Sequence, residues 1–368
     1  ALSVLRDQPA TSPTDLAAAW SLNGATLSSL GRYEEAEQAH RLALELTPKD
    51  DELLIADRLN SLGLASYSLG RLVEAQALLE SALAIRQAGR PESAETAASL
   101  NNLALVLAAQ DRRAEAEPLY RAALDIRRRV LGDRHPTTSY SLTNLATLLV
   151  RLDRPDEAEA AYREALALRR EIFGEDHPAV ASVLYQIGWL QSGSGQLQQA
   201  REHLEQALKI RRRVLGQQHP STAVALNAAA VVARDLGQLG QAEKWLREAL
   251  TIYQTVYGES HHDIALVLAN LGQTLRGAGQ YASAERLLMQ ALEMNRRELG
   301  ADHPHVADNL RGLAEVALEL DQIERAAGFA RSAVEVLDRT GLPADHPDRR
   351  LLADISTRIS EREAVARF

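Results

Sequence analysis

His135, His177, His219, His261 and His303 stand 42 residues apart, four intervals in succession. A fixed period of this length confines the chain to an array of similar units stacked in one dimension, none of which buries a core alone. The question for function is therefore what surface the stack presents.

A turn marker recurs with the same period, at Gly31, Gly70, Asp111, Asp153, Gly195, Gly237, Gly279 and Asp321, with intervals of 39, 41 and then 42 five times. Five residues after every marker is Ala, and twelve after every marker is Ala again, from Ala36 and Ala43 to Ala326 and Ala333. Seven before it the residue is always Gly or Ala: Gly24, Gly63, Ala104, Ala146, Gly188, Ala230, Gly272 and Ala314. Small residues on facing helices let the axes approach closely while Leu fills the space beside them. Both flanks of the marker carry apolar residues at helical spacing, as in Leu142, Leu145, Ala146 and Leu149. Each unit is read as helix A, a tight turn and helix B. Gly or Asp at the marker tolerates left-handed or capping geometry.

A linker repeats as well: Gly132 to Pro136, Gly174 to Pro178, Gly216 to Pro220, Gly258 to His262 and Gly300 to Pro304. Gly past a helix end and Pro at a first helical turn mark where helix B stops and the next helix A starts. Gly341 to Pro347 is the same linker, two residues longer.

These columns resemble the tetratricopeptide repeat (TPR), with Trp20, Gly24, Leu27, Gly31, Tyr33, Ala36, Ala43 and Pro48 as the match to the ordinary 34-residue pattern. The 42-residue form, with Asn-Asn-Leu-Ala, Glu-Ala-Glu and Leu-Gly-x-x-His-Pro, is similar to the kinesin-light-chain type, which is also widespread in bacterial proteins. The resemblance implies an all-α, right-handed superhelical solenoid of TPR helix-turn-helix units. It implies a binding surface and no particular reaction. The units divide at approximately 13–53, 54–94, 95–136, 137–178, 179–220, 221–262, 263–304 and 305–347. Residues 1–12 read as the remnant of a preceding repeat or an N-terminal cap, so the chain is expected to be part of a longer protein. Residues 348–368 read as a polar C-terminal capping helix.

Composition narrows the classes. Hydrophobic residues are 46% and aromatics 4%, so the core must be Ala and Leu on helices. A net charge of −9 argues against a nucleic-acid partner. The absence of Cys excludes a disulfide framework, a Cys-based zinc site and a Cys nucleophile. No apolar run of membrane-spanning length occurs. A cytoplasmic location is the default expectation.

No catalytic set is visible: there is no Gly-rich phosphate loop, no His-Glu-x-x-His and no Ser nucleophile in an elbow context. The expectation is a protein that is not an enzyme, with no cofactor and no metal. The periodic histidines fall one per unit, a repeat apart, and read as helix N-terminal residues that organise the linkers. The acidic pairs at the start of helix B, such as Glu34–Glu35, face the positive end of a helix dipole. The Arg clusters Arg127–Arg129, Arg169–Arg170, Arg211–Arg213 and Arg296–Arg297 face the negative end. An alternative is that some of them line the groove edge and attract an acidic ligand.

In TPR proteins helix A lines the concave groove. Nine before the marker the column reads Leu22, Ser61, Asn102, Asn144, Gln186, Ala228, Asn270 and Gly312. In peptide-binding members an Asn here hydrogen-bonds the peptide backbone or terminus. The resemblance carries that role to Asn102, Asn144 and Asn270, and to Gln186. A carboxamide can read an extended backbone because it offers donors and an acceptor. Around them Arg151, Tyr185, Trp189, Asn227, Arg234, Gln273 and Arg276 complete the candidate site, with Arg151, Arg234 and Arg276 favouring an acidic group. The alternative for the Asn column is that it ties neighbouring helices together or faces water. For Trp189 the alternative is a core position. The expected partner is a protein or peptide, acidic in character. The competing reading is a structural, self-associating or sensor arm of a larger protein.

Overall fold

The computed structural model describes residues 12–340 and 347–366. The expected helix end at Ala1–Arg6 and most of the Gly341 linker lie outside the described residues. Seventeen helices and no strand occur among the described residues. The chain divides into two compact bodies, Ala1–Glu175 and Asp176–Phe368.

The first body holds four helix pairs. They are α1 (Pro13–Ser29) with α2 (Tyr33–Glu45), α3 (Glu52–Ser68) with α4 (Leu72–Gly89), α5 (Ala94–Ala109) with α6 (Arg113–Leu131), and α7 (Pro136–Arg151) with α8 (Pro155–Phe173). The second holds α9 (Pro178–Gly193) with α10 (Leu197–Val214), α11 (Pro220–Asp235) with α12 (Leu239–Tyr257), α13 (His262–Gly277) with α14 (Tyr281–Glu298), and α15 (Pro304–Glu319) with α16 (Ile323–Arg339), followed by α17 (Pro347–Ala366). Helix α17 packs on α16 and buries Leu352, Ile355 and Ile359.

Each turn is built as the sequence requires. All eight markers have positive φ, from 57° at Asp153 to 76° at Gly237. The sixteen Ala residues five and twelve past the markers have no exposed surface. The small residue seven before the marker receives a larger one from helix B. A Cβ added to Gly63, Gly188 or Gly272 would come within 2.8, 2.7 and 2.8 Å of Leu79, Leu204 and Leu288 respectively. Close A–B packing within a pair therefore depends on this column.

The linker histidines are caps. Each of the five is the N-cap of a helix A in extended backbone geometry, and its Nδ1 accepts the backbone N–H two residues on. The distances are 3.2 Å at Thr137, 3.1 Å at Ala179 and Ser221, and 3.2 Å at Asp263 and His305. This meets a donor that an α-helix start otherwise leaves unpaired.

Within each body successive A helices touch directly (α1 with α3, α3 with α5, α5 with α7; α9 with α11, α11 with α13, α13 with α15). Successive B helices reach each other through long ion pairs instead, such as Arg71–Glu37 at 2.7 Å and Arg154–Glu117 at 2.8 Å, which link a turn to the preceding helix B. The A helices are thus the inner layer of each body.

Candidate functional site

The Asn column is on that inner layer, and its amides are wired to one another. In the first body Asn144 donates to Asn101 at 3.0 Å, Asn101 to Asn102 at 3.4 Å, and Asn102 to Asn60 at 3.1 Å. In the second body Asn270 donates to Asn227 at 2.9 Å. The Asn144–Asn101, Asn102–Asn60 and Asn270–Asn227 bonds tie adjacent A helices, Asn101–Asn102 joins neighbours on one helix, and each bond occupies one of the two N–H groups of its donor. Asn101 is buried and Asn102, Asn144, Asn227 and Asn270 are partly exposed, so the chains run along the boundary between core and inner surface.

Beside Asn144 a cleft of about 120 Å³ opens, lined by Tyr67, Leu105, Tyr120, Thr147 and Arg151. Thr147 hydrogen-bonds the Tyr162 hydroxyl at 2.9 Å. Burial pushes the Tyr120 hydroxyl well above its usual titration range, so it stays neutral. Arg151 forms no ion pair among the described residues; its backbone carbonyl accepts from Arg113 at 3.1 Å.

In the second body the expected residues fall into two groups. Asn270, Gln273 and Arg234 line one cavity of about 180 Å³. Arg276 donates to Gln273 at 2.9 Å and pairs with Glu315 at 3.1 Å, and Arg234 pairs with the adjacent Asp235 at 2.9 Å. Two of the three arginines expected to attract acids therefore already hold one. Gln186, Tyr185 and Trp189 belong to α9. Trp189 is half exposed, which removes it from the core. Tyr185 lies under the Arg211 guanidinium, 5.1 Å from its centroid, and burial raises its hydroxyl pKa.

The Arg clusters hold the largest departure from the sequence reading. The arginine sixteen residues past the marker is buried in four pairs: Arg86, Arg127, Arg169 and Arg211. Arg86 donates to the Ser99 hydroxyl at 2.6 Å and to the Glu95 carbonyl at 2.8 Å. Arg127 donates to the Ser141 hydroxyl and to the Thr137 carbonyl at 3.1 Å. Arg169 donates to Ser139 and Thr143 on its own helix A, with Tyr140 beneath it. Arg211 donates to the Ser221 carbonyl at 2.8 Å. These guanidiniums staple helices together, beyond any dipole effect, and burial lowers the pKa of Arg127, Arg169 and Arg211. The acids at the start of helix B likewise have partners: Glu35 takes Arg32 at 2.6 Å and Glu157 takes Arg154 at 2.6 Å.

One group of potential metal ligands occurs among the described residues: His261, His262 and Asp263, with ligand atoms within 4.8 Å of one another. His261 already uses Nδ1 as a cap acceptor, and its ring stacks on Tyr257 at 4.0 Å, which leaves Nε2 as its remaining nitrogen. No helix among the described residues is long and apolar enough to cross a membrane.

Paired antiparallel helices with Ala at both crossing points, left-handed turns and an amide-lined inner layer define a helical-repeat interaction scaffold. The chain belongs to the tetratricopeptide repeat family, whose sequence model matches residues 15–88, 95–171, 142–213, 193–255, 221–297 and 263–339. Its fold is similar to that of the quorum sensor NprR of B. thuringiensis in its apo form, at 15% identity over 88% of each chain with a TM-score of 0.70. It is also similar to BtubC (BKLC) of P. vanneervenii, at 22% identity over 68% of this chain and 92% of that one, TM-score 0.51. A variant form of a kinesin-light-chain-type protein of Podosopora anserina with nearly identical TPR-like repeats gives 24% identity over 55% and 96%, TM-score 0.50. At these identities the likeness is one of fold, and it is kinesin-light-chain-like. No curated protein sequence matches the chain.

Proposed function

We propose that the chain is a non-enzymatic interaction module that holds a peptide or an extended segment of a partner protein along the inner, A-helix layer. The observation that carries this reading is the cleft beside Asn144. There the polar residues Asn144, Thr147 and Arg151 line one cleft together with Leu105 and Ala108. A few well-placed polar groups in an apolar wall is the composition of a recognition site. Asn102 and Asn144 in the first body, and Gln186 and Asn270 in the second, serve the backbone of a segment bound on that body, with the donor and acceptor capacity left after the amide chains are made. Arg151 supplies the preference for an acidic side chain or carboxylate, since Arg234 and Arg276 face Asp235 and Glu315. Trp189 offers an exposed aromatic anchor. Helix α17, with its polar outer face, caps the stack.

The test is a paired capture from native cell lysate read by mass spectrometry. One bait is the chain itself. The other carries Asn102→Ala, Asn144→Ala, Gln186→Ala and Asn270→Ala and is checked by circular dichroism. A partner held by the first and lost by the second is expected. Identical partner sets would overturn the groove reading and favour the structural-arm alternative.

A further inference from the structure

The cleft beside Asn144 holds a tyrosine that the repeat leaves without a partner. Nine residues past the marker, helix B carries Leu79, Leu204, Leu246 and Leu288, but Tyr120 and Tyr162 in two pairs of the first body. Six before the marker of the Tyr162 pair is Thr147, and the two hydroxyls bond at 2.9 Å. The same position in the Tyr120 pair is Leu105, which offers a hydroxyl nothing. Tyr120 accordingly makes no hydrogen bond among the described residues. It is 3% exposed and lines the cleft, and its oxygen, though unpartnered, is not one of the atoms closed off from solvent. A group placed in the cleft therefore has access to it.

Two further groups stand beside it without partners. Tyr67 lines the cleft and makes no hydrogen bond, and Arg151 has no ion pair, among the described residues. No acidic residue lines the cleft among the described residues. After burial, the neighbouring Tyr67 and then the Arg151 charge act on the Tyr120 hydroxyl, so the three polar ends share one small region. Burial keeps Tyr120 neutral, and it presents an O–H there. Two O–H groups and one uncompensated guanidinium call for an anion that accepts several hydrogen bonds. A carboxylate matches the single positive charge and takes the guanidinium fork through parallel bonds. A phosphate dianion would keep a charge uncompensated in a half-buried cleft. A carboxamide would forgo the charge-assisted bonds that Arg151 offers. The volume of about 120 Å³ takes the end of one side chain.

We infer that Tyr120 sets the specificity of this cleft: its hydroxyl and that of Tyr67 donate to a carboxylate whose charge Arg151 neutralises. The inference deepens the groove reading and rests on it for the source of the carboxylate, an acidic side chain or the C-terminus of the bound segment. Arg151 alone, on an exposed side chain, would attract any anion at small gain. A hydroxyl left unpartnered by the fold sharpens the choice, because a group that cannot accept from it leaves it unpaired and is rejected.

The test is a magnetic-resonance titration of the full chain, labelled on its tyrosine rings and arginine side chains, with capped amino acids as probes. N-acetylglutamate α-amide carries a side-chain carboxylate and N-acetylalanine a C-terminal one. N-acetylglutamine amide is the neutral control of the same shape. At least one carboxylate is expected to shift Tyr120, Tyr67 and Arg151 saturably at millimolar concentration, and the glutamine probe at least ~10-fold more weakly. The carboxylate that binds identifies the source. Tyr120→Phe removes the hydroxyl and keeps the ring, in a column that is Leu elsewhere. Leu105→Thr supplies Tyr120 with the internal partner that Tyr162 has, and leaves Arg151 untouched. Each is expected to weaken the carboxylate at least ~10-fold, read at Arg151. Absence of a saturable shift, an equal response to the glutamine probe, or an unchanged affinity in Tyr120→Phe would overturn the inference and leave the hydroxyl to water. The titration involves no partner. Its failure is therefore separate from a failure of the groove reading, which the paired capture decides.

Discussion

The guanidinium of Arg86, at the end of α4, donates to the hydroxyl of Ser99 on α5, 2.6 Å away, and both residues are buried. The bond crosses from one repeat to the next, so it sets the spacing between neighbouring pairs as the Ala columns set it within a pair. It also defines what an intact inter-repeat polar contact looks like, in contrast to Asn295 Oδ1 and Asn309 Nδ2, which are buried without a partner.

Removing this contact is expected to be costly. Arg127→Met keeps the stem of the equivalent arginine and deletes the fork that reaches Ser141 and the Thr137 carbonyl. Leaving those acceptors buried and unmet should lower stability by about 2–3 kcal/mol in urea unfolding. Arg127→Lys should recover little of it, because a single ammonium cannot reach both acceptors in the planar geometry of the fork. A loss under about 0.5 kcal/mol, the range of ordinary surface changes, would contradict the stapling role.

Two glycines in helices should respond in opposite directions. A Cβ at Gly188 would meet Leu204 at 2.7 Å and the Ala200 carbonyl at 3.0 Å, and that carbonyl is backbone that cannot swing aside. Gly188→Ala is expected to destabilise by about 1–3 kcal/mol through overpacking. Gly328, inside α16, has nothing within 4 Å of its would-be Cβ. Gly328→Ala should stabilise by roughly 0.5–1 kcal/mol by removing backbone freedom from the unfolded chain. Thermal melts of the two variants check both signs.

How much of this was legible in the sequence depends on the range of the interaction. The turns were legible because left-handed backbone excludes most residues, and Asp111, Asp153 and Asp321 fill it at φ of 64°, 57° and 59° where Gly is absent. The His-Pro caps were legible because capping is local. The Asn column was legible as a set of positions on helix A, but its partners were not. Asn144 bonds Asn101 and not its equivalent Asn102, because neighbours across a stack need not share a column. The buried arginines were read as dipole partners because a sequence places them near a helix end without saying which way a long side chain turns. Glu315 holding Arg276 was hidden for the same reason. The changes in the arginine column, at Tyr253, Asn295 and Leu337, were present. They gain meaning only once the arginine column is known to be buried.

The cap histidines give a graded test of local structure. His219→Ala deletes the acceptor for the Ser221 N–H and should lower stability by about 1 kcal/mol, while His219→Asn should restore most of it because Asn is itself a strong cap. If the two variants melt together, the imidazole contributes through packing and not through its hydrogen bond.

His40 gives the chain a pH dependence with a definite sign. The residue occupies the place that Leu79, Leu204 and Leu288 take in other pairs, over Gly24, and its ring lies 2.7 Å from where a Gly24 Cβ would be. It is 4% exposed, and its Nδ1 has no hydrogen-bond partner. Burial first, and then the nearby Arg58 charge, hold its pKa below the ordinary 6.5. Well above 6.5 the imidazole is neutral in the folded and the unfolded chain, so its contribution is constant. As pH falls below 6.5 the unfolded chain takes up a proton that the folded site refuses, and stability is lost until the folded pKa is reached. His40→Leu installs the residue of the other pairs, removes the unmet nitrogen and removes the titration. It is expected to stabilise by about 1 kcal/mol above 6.5 and by more below it. The difference between the urea midpoints of the two proteins across that pH isolates His40. A difference that stays constant with pH would show that the folded site accepts the proton as readily as water does.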